Sequence, residues 1–166
     1  SGGGIRALSA GSIGLALSAR PLKDTEAASG LDAKQYGTTA IVFAGNISLP
    51  HGNLTDKRLI EIYRSGDAHW PNGERIRVVL RPDRETETKL MKKYIPAMST
   101  ALDAARTLPG VPTAYNDQET ADFLERIPGS LGTSTLSLLR SENRKLQVFS
   151  LNGVTPSMTT IRDGSY

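Results

Sequence analysis

Residues 76–96 read IRVVLRPDRETETKLMKKYIP, and in this stretch a strand pattern changes into a helical one. Ile76 to Leu80 is a short apolar run rich in β-branched side chains, as expected of a buried strand. From about Thr86 the pattern is helical and runs to Leu108, with Pro96 expected to end or kink the first helical segment. The stretch therefore predicts a strand followed by a helix, with the polar residues from Arg81 onward at their junction.

The same alternation continues on both sides of this stretch. Leu54 to Tyr63 predicts an amphipathic helix, with Thr55 as its N-cap and Gly66 at its end. Asn116 opens another predicted helix, with Glu119 in a capping-box position. Further strands are predicted at 13–18, 39–45, 131–139 and 145–151. Strands that alternate with helices predict an α/β fold, here a mixed sheet flanked by helices.

Composition narrows the class of protein. The chain has 166 residues, 38% of them hydrophobic and 22% charged, and a net charge of +3. Such values predict a soluble globular protein, with room for one domain or for one lobe and part of another. No apolar run approaches the roughly 20 residues that a membrane span needs. There are no cysteines, so disulfides, thiolate metal sites and cysteine nucleophiles are excluded.

Several functional classes have little support in the sequence. Basic residues are dispersed and aromatic residues are few, whereas nucleic-acid binders usually carry a clustered basic face with stacking aromatics. His51 and His69 lie in polar segments without a partner at metal-ligand spacing, and no Gly-x-Ser-x-Gly motif occurs. We predict no catalytic residue, no metal ligand, no cofactor and no nucleic-acid partner.

Two segments have the composition of an anion site. Ser1-Gly2-Gly3-Gly4 precedes a short helical pattern, and free N–H groups at a helix N-terminus bind anions that glycine allows to approach closely. A flexible terminus would have the same composition. The second segment follows the strand at 76–80, where Arg81 with the hydroxyls of Thr86 and Thr88 suits an oxyanion. An ordinary acid-rich helix start is the alternative interpretation there.

A third segment, with a serine and an arginine, supports an anion-binding function. Ser18 and Arg20 follow the predicted strand 13–18, and ligands of open α/β sheets bind beyond the carboxyl ends of strands. The predicted ligand-binding residues are therefore Ser1, Gly2, Gly3, Ser18, Arg20, Arg81, Thr86 and Thr88.

The order and spacing of these segments resemble the phosphate-type solute-binding proteins of ABC importers. The resemblance rests on SGGGIRALSAGSIGLALSARPLKDTE, TAIVFAGN, LTDKRLIEIYRSGDAHWPNGERIRVVLRPD and NDQETADFLERIPGSLG, which together span nearly the whole chain. It implies a type II periplasmic-binding-protein fold, in which two α/β lobes joined by hinge strands close over an oxyanion. Residues 1–37 would be a partial first lobe and 38–166 the second lobe, with a hinge strand at about 38–45.

The resemblance also implies roles for particular residues. Ser1 matches the serine of the family's glycine loop, and Arg81 matches its anion-binding arginine. Thr86-Glu87-Thr88 stands near the family's Ser-Gly-Thr cradle, one residue late and with Glu in place of Gly. Ala19 occupies the position where phosphate-specific members have an aspartate. Asp83, Glu85 or Glu87 could supply an acceptor instead, or these acids could repel an anion.

The function implied by the resemblance is capture of a small oxyanion, phosphate or a phosphate-like ion, for an ABC permease. The chain would be periplasmic or secreted, would not span the membrane, and is expected to be cut off at both ends of the family's pattern. The alternative is a sensing or interaction module outside the cytoplasm that has the same fold without transport. An enzyme on an α/β scaffold is a further alternative.

Overall fold

The computed structural model describes residues 2–166 and divides the chain into two compact units, Ser1–Gly37 and Thr38–Tyr166. The helices are α1 (Gly2–Ser9), α2 (Asp24–Ala27), α3 (Asp56–Ser65), α4 (Thr86–Tyr94), α5 (Met98–Thr107), α6 (Asp117–Arg126), α7 (Leu136–Ser141) and α8 (Met158–Arg162). The strands are β1 (Ile41–Asn46), β2 (Asn53–Leu54), β3 (Arg77–Val78), β4 (Ser130–Thr135), β5 (Leu146–Val148) and β6 (Ser150–Leu151). Within the described part of the chain, none of these helices has the length and apolar character of a membrane span.

The first unit consists of two short helices and irregular backbone. The strand predicted at 13–18 is wrong, because no strand forms there. Its apolar side chains lie in solvent, with Leu15 78% and Leu17 69% exposed. An apolar run becomes a strand only when a neighbouring strand pairs with its backbone, and residues 2–37 contain no strand that could do so.

The second unit is built on a four-stranded mixed sheet in the order β3-β4-β1-β5. The central strand β1 is antiparallel to both β4 and β5, whereas β3 is parallel to β4. A separate parallel pair joins β2 to β6. The hinge strand predicted at 38–45 overlaps β1, which is hydrogen-bonded on both edges, so most of that segment belongs to the sheet of this unit.

Two apolar clusters cover the two faces of this sheet. Successive side chains of a strand point to opposite faces, so Phe43 enters one cluster while Val42 and Ala44 enter the other. Helices α3, α4 and α5 supply the cluster on the Phe43 side, and α6 and α7 supply the other. The predicted mixed sheet flanked by helices is confirmed.

Local signals placed most helices correctly. The hydroxyl of Thr55 accepts a hydrogen bond from Arg58 N, and Gly66 closes α3 in the left-handed conformation. Pro96 separates α4 from α5. The carboxamide of Asn116 accepts from Glu119 N at 2.8 Å, but the Glu119 carboxylate accepts from Tyr115 N, one residue earlier than the predicted capping box requires.

Two predicted strands near the end of the chain are shorter than expected. The strand predicted at 131–139 stops at Thr135, whose hydroxyl caps α7 by accepting a hydrogen bond from Leu138 N. The strand predicted at 145–151 divides into β5 and β6, which pair with different partners. Apolar residues continue through both breaks, so hydrophobicity alone could not locate them.

Candidate functional site

Arg81 is the most buried cation that the sequence proposed for ligand binding. It follows β3 and the extended residues Val79 and Leu80, and its side chain is only 4% exposed. Its Nη1 donates weak hydrogen bonds to the carbonyl of Ala114 and to the hydroxyl of Thr120, both at 3.4 Å. The end of the strand and the beginning of α6 therefore hold the guanidinium in one orientation.

Three carboxylates surround this guanidinium. Asp117 Oδ1 accepts a hydrogen bond from Arg81 Nη2 at 2.8 Å. Glu85 Oε2 and Glu87 Oε2 lie 4.0 and 3.9 Å from the same nitrogen. The arginine supplies one positive charge against as many as three negative charges, so the centre carries excess negative charge whenever all three acids are ionised.

Glu87 is the most buried of the three acids. Its side chain is 7% exposed, compared with 22% for Glu85 and 38% for Asp117. Burial raises the pKa of Glu87, and the negative charges of Asp117 and Glu85 raise it further. Its own backbone N–H and the charge of Arg81 lower the pKa but do not offset the burial.

The two predicted threonines lie in the first turn of α4. Thr86 begins the helix and is half-buried, while Thr88 is fully buried. The Thr88 hydroxyl is 3.5 Å from the carbonyl oxygen of Arg81, which also accepts a hydrogen bond from Arg106 Nη2 at 2.9 Å. Thr88 and Arg106 thus fix the backbone of Arg81.

Asp83 and Arg84 are turned to other partners. Asp83 pairs with Lys92 at 3.0 Å and with Arg106 at 2.7 Å, and these cations lower the pKa of its carboxyl group. Arg84 is 78% exposed and lies 3.5 Å from Glu85. Among the acids that the sequence offered as acceptors, Glu85 and Glu87 lie within 4.0 Å of the guanidinium, and Asp83 is held by other cations.

Within the first unit Ser18 is hydrogen-bonded to Arg20, and Arg20 is paired with a glutamate of α2. The Ser18 hydroxyl donates to the Arg20 carbonyl at 2.8 Å. Two nitrogens of Arg20 each donate to one oxygen of Glu26 at 2.7 Å. This ion pair and the hydrogen bond from Lys23 N lower the pKa of Glu26 to about 2. Arg20 can bind an anion only in competition with Glu26.

The predicted glycine loop is helical from Gly2 onward. Gly2 and Gly3 form the first turn of α1, and a Cβ added at Gly3 would meet nothing within 4 Å. The backbone at Gly3 therefore has space beside it. Ser1, the remaining predicted residue of this loop, lies outside the described residues.

Asp117 and Thr120 were not recognised from the sequence as neighbours of Arg81. They lie 36 and 39 residues from it along the chain. Asp117 lies in the first turn of a helix, where acids are common because the helix dipole favours negative charge there. No local signal could have identified it as the partner of a buried arginine.

The described part of the chain offers no arrangement of histidine, cysteine and acidic side chains suited to a metal ion. The three carboxylates around Arg81 do not form such an arrangement. His51 has its Nδ1 2.7 Å from Gln147 Nε2, a contact between side chains of the second unit. His69 lies opposite Arg75 in an isolated β-bridge.

Comparison with solved structures finds proteins of the same fold. PstS from Borrelia burgdorferi is 21% identical with a TM-score of 0.65; the alignment covers 100% of this chain and 68% of that one. A Clostridium perfringens protein, described as a candidate phosphate ABC transporter substrate-binding protein and solved with bound phosphate, is 17% identical with a TM-score of 0.77, covering 100% and 67%. An ABC-type phosphate transport receptor from Vibrio cholerae is 17% identical with a TM-score of 0.55, covering 100% and 68%.

The chain thus spans about two thirds of the length of each of these neighbours. Identities this low establish a shared fold. A sequence search of curated proteins found no significant match. The family model described as a PBP superfamily domain matches residues 1–166, the whole chain. The chain therefore belongs to the PBP superfamily.

Proposed function

We propose that this chain captures a small oxyanion, phosphate or a phosphate-like ion, outside the cytoplasm and delivers it to the permease of an ABC importer. In the second unit the ligand would contact Arg81, with Thr86 and Thr88 beside it. The residues proposed for ligand binding in the first unit are Ser1, Gly2, Gly3, Ser18 and Arg20. Residues 1–37 would belong to a first lobe and 38–166 to a second.

The buried guanidinium of Arg81 is the observation that carries this proposal. It lies beyond the carboxyl end of a sheet strand, where ligands of α/β sheets usually bind. Helix α4 begins five residues later, and its first turn contains Thr86 and Thr88. Arginine is suited to oxyanions because its planar group gives two parallel charge-assisted hydrogen bonds.

The family and the fold support the transport function. The chain belongs to a family of binding proteins rather than enzymes. Two of its structural neighbours are named for phosphate transport, and one of these was solved with phosphate bound. A receptor of this kind would act outside the cytoplasm and would have an ABC permease as its partner.

Titration calorimetry of the chain tests the proposal. Phosphate, sulfate, molybdate and small organic acids would be titrated at low ionic strength and at pH 5 and pH 8. We expect saturable heat with at least one tetrahedral oxyanion. Arg81→Lys keeps the charge but loses the two-pronged donor, so its affinity is expected to fall by about tenfold or more.

A matched control separates this effect from the effect of changing any arginine of the chain to lysine. Arg58 lies on the surface of α3 and pairs with Glu61, so Arg58→Lys is expected to leave anion binding unchanged. Equal losses in the two variants, or no heat with any ion, would contradict an anion site at Arg81. Binding of a small organic acid alone would favour the alternative of a sensing module with a different ligand.

A further inference from the structure

We propose that the Glu87 carboxylate sets the anion affinity of this site, because it must take up a proton before an oxyanion can bind at Arg81. This inference rests on the proposed function and adds to it a residue that regulates binding. It concerns the second unit alone.

The position of Glu87 is the first reason. Its Oε2 lies 3.9 Å from Arg81 Nη2, and its own backbone N–H, in the first turn of α4, interacts with the carboxylate. A helix N-terminus beside an arginine is a place where an external anion would bind. The carboxylate of Glu87 already lies at this place, so an incoming oxyanion is repelled by its negative charge.

The charges on the surrounding elements are the second reason. Arg81, three residues after β3, is the cation that faces Glu87. Glu85 precedes α4, and Asp117, at the start of α6, makes the short hydrogen bond to the guanidinium. Arg106, on α5, directs Nη2 to the Arg81 carbonyl and to Asp83. Exposed Arg84 lies 3.5 Å from Glu85 and offsets part of that charge. The buried centre around Glu87 is therefore one cation against two other acids, one of which has this second partner at the surface.

Burial distinguishes Glu87 from these two acids. Asp117 and Glu85 are partly exposed, so water can solvate their charge. Glu87 is 7% exposed and has no comparable route to solvent. Burial also raises the pKa of Glu87, which makes protonation its easiest response to an approaching anion.

Protonation changes the chemistry that Glu87 offers. A neutral carboxyl group no longer repels the anion, and it gains an O–H that can donate to an anion oxygen. The proton comes from solvent, so anion binding above the pKa of Glu87 would be accompanied by uptake of one proton. Because only the protonated fraction is competent to bind, the apparent dissociation constant would rise about tenfold per pH unit.

Sulfate is the suitable probe because it remains a dianion from pH 5 to 8, so any pH dependence must come from the protein. Calorimetry of the whole chain at pH 6, 7 and 8 would give the dissociation constants. Repeating the titrations in two buffers of different ionisation enthalpy would count the protons taken up. Glu87→Gln removes the charge with little change in shape, and Glu61→Gln, on the exposed face of α3, is the matched control.

We expect sulfate affinity of the original chain and of Glu87→Asp to fall steeply as pH rises. Glu87→Gln should bind sulfate more tightly than the original chain at pH 8, by about tenfold for each unit that pH 8 lies above the pKa of Glu87, with no proton uptake and little pH dependence. Glu61→Gln should behave like the original chain. The Trp70 fluorescence of each variant would establish that it is folded, since this side chain is 7% exposed in the second unit.

Each other outcome overturns the inference in a recognisable way. If Glu87→Gln and the original chain bind sulfate equally at every pH, the anion site stands and Glu87 does not regulate it. Weaker binding by Glu87→Gln would likewise leave the site in place and make Glu87 an ordinary structural or ligand-accepting group. If no variant binds sulfate or phosphate at any pH, the proposed function itself fails at Arg81.

Discussion

Arg20 and Arg81 were both expected to bind the ligand, and their surroundings differ in burial and in charge balance. Arg20, in the first unit, forms two 2.7 Å hydrogen bonds with Glu26, so one positive charge meets one negative charge. Arg81, in the second unit, is more deeply buried and makes a short bond to Asp117 with Glu85 and Glu87 about 4 Å away. The first arginine is balanced, and the second is surrounded by excess negative charge.

This difference indicates where function is to be sought. A balanced, partly exposed pair such as Arg20–Glu26 can be explained by local folding alone. Buried charge in excess is costly, because desolvation and like-charge repulsion both act against it. Perturbed groups of this kind are concentrated at functional sites. The imbalance at Arg81 therefore points to a binding centre more strongly than the arginine itself does.

Replacing Arg81 should have the largest effect on stability. Arg81→Met removes the buried cation from three carboxylates, and removal of one partner from a fully buried ion pair costs about 3–5 kcal/mol. Because Asp117 and Glu85 are partly solvated, we expect a loss at or below the lower end of this range. Urea unfolding at pH 7, followed by Trp70 fluorescence, measures this loss. Arg20→Met is the control and should leave the transition unchanged, because Trp70 and Arg20 belong to different units. Equal shifts in the two variants would remove the contrast between the two arginines.

Glu87→Gln should have a smaller effect of opposite sign. Because the pKa of Glu87 is raised on folding, the folded chain holds more protons than the unfolded chain between the usual glutamate value and the raised value. The stability of the original chain therefore falls as pH rises through that window, whereas the variant has no such group. We expect the variant to be more stable at pH 7 and the two to converge in acid.

The same urea transitions, recorded between pH 4 and pH 7, measure this convergence. A variant that is less stable at pH 7 would show that Arg81 compensates the charge of Glu87 fully. That result would also weaken the proposed effect of Glu87 on anion binding.

Glu26 should titrate in the opposite direction from Glu87. Its pKa is lowered to about 2, first by the hydrogen bonds from Arg20 and then by the Lys23 N–H. The stabilisation from this pair is present above the usual glutamate value and is lost as pH falls toward about 2. Carbon-13 NMR of the side-chain carboxyls measures both groups, and Arg20→Gln should return Glu26 close to its usual value. Parallel shifts of Glu26 and Glu87 would contradict the comparison.

Salt should produce the smallest effect and should act mainly on Glu26. At about 1 M NaCl the screening length falls to about 3 Å, and exposed charges are screened far more than buried ones. The pKa of Glu26 is expected to rise modestly in the same NMR titration, while that of Glu87 changes little. A larger shift at Glu87 would indicate that water and ions reach the centre around Arg81.

The fold was predictable in outline because many of its signals are local. The burial of both faces of β1 follows from the apolar run at 39–45, and Pro96 separates α4 from α5. The strand predicted at 13–18 failed for a non-local reason, since no strand among residues 2–37 pairs with it.

The candidate site was predictable only in part. Arg81 and the threonines of α4 follow one another in the sequence, and their position after a strand could be read directly. Which acids would face the guanidinium could not be predicted. Asp83 lies closer to Arg81 in sequence than Glu85 and Glu87 do, yet it pairs with Lys92 and Arg106. Asp117 lies 36 residues from Arg81 along the chain, and α6 places its side chain beside the guanidinium.

By itself the sequence determined the helix caps at Thr55 and Asn116 and the membership of an α/β family. It also predicted a strand at 76–80, of which Arg77–Val78 forms β3. These features depend on hydrogen bonds and apolar patterns within a few neighbouring residues. Only the tertiary structure decided that three acids converge on Arg81. Charge pairing depends on distance and burial in space, and residues 36 apart acquire these only when the sheet and α6 have packed together.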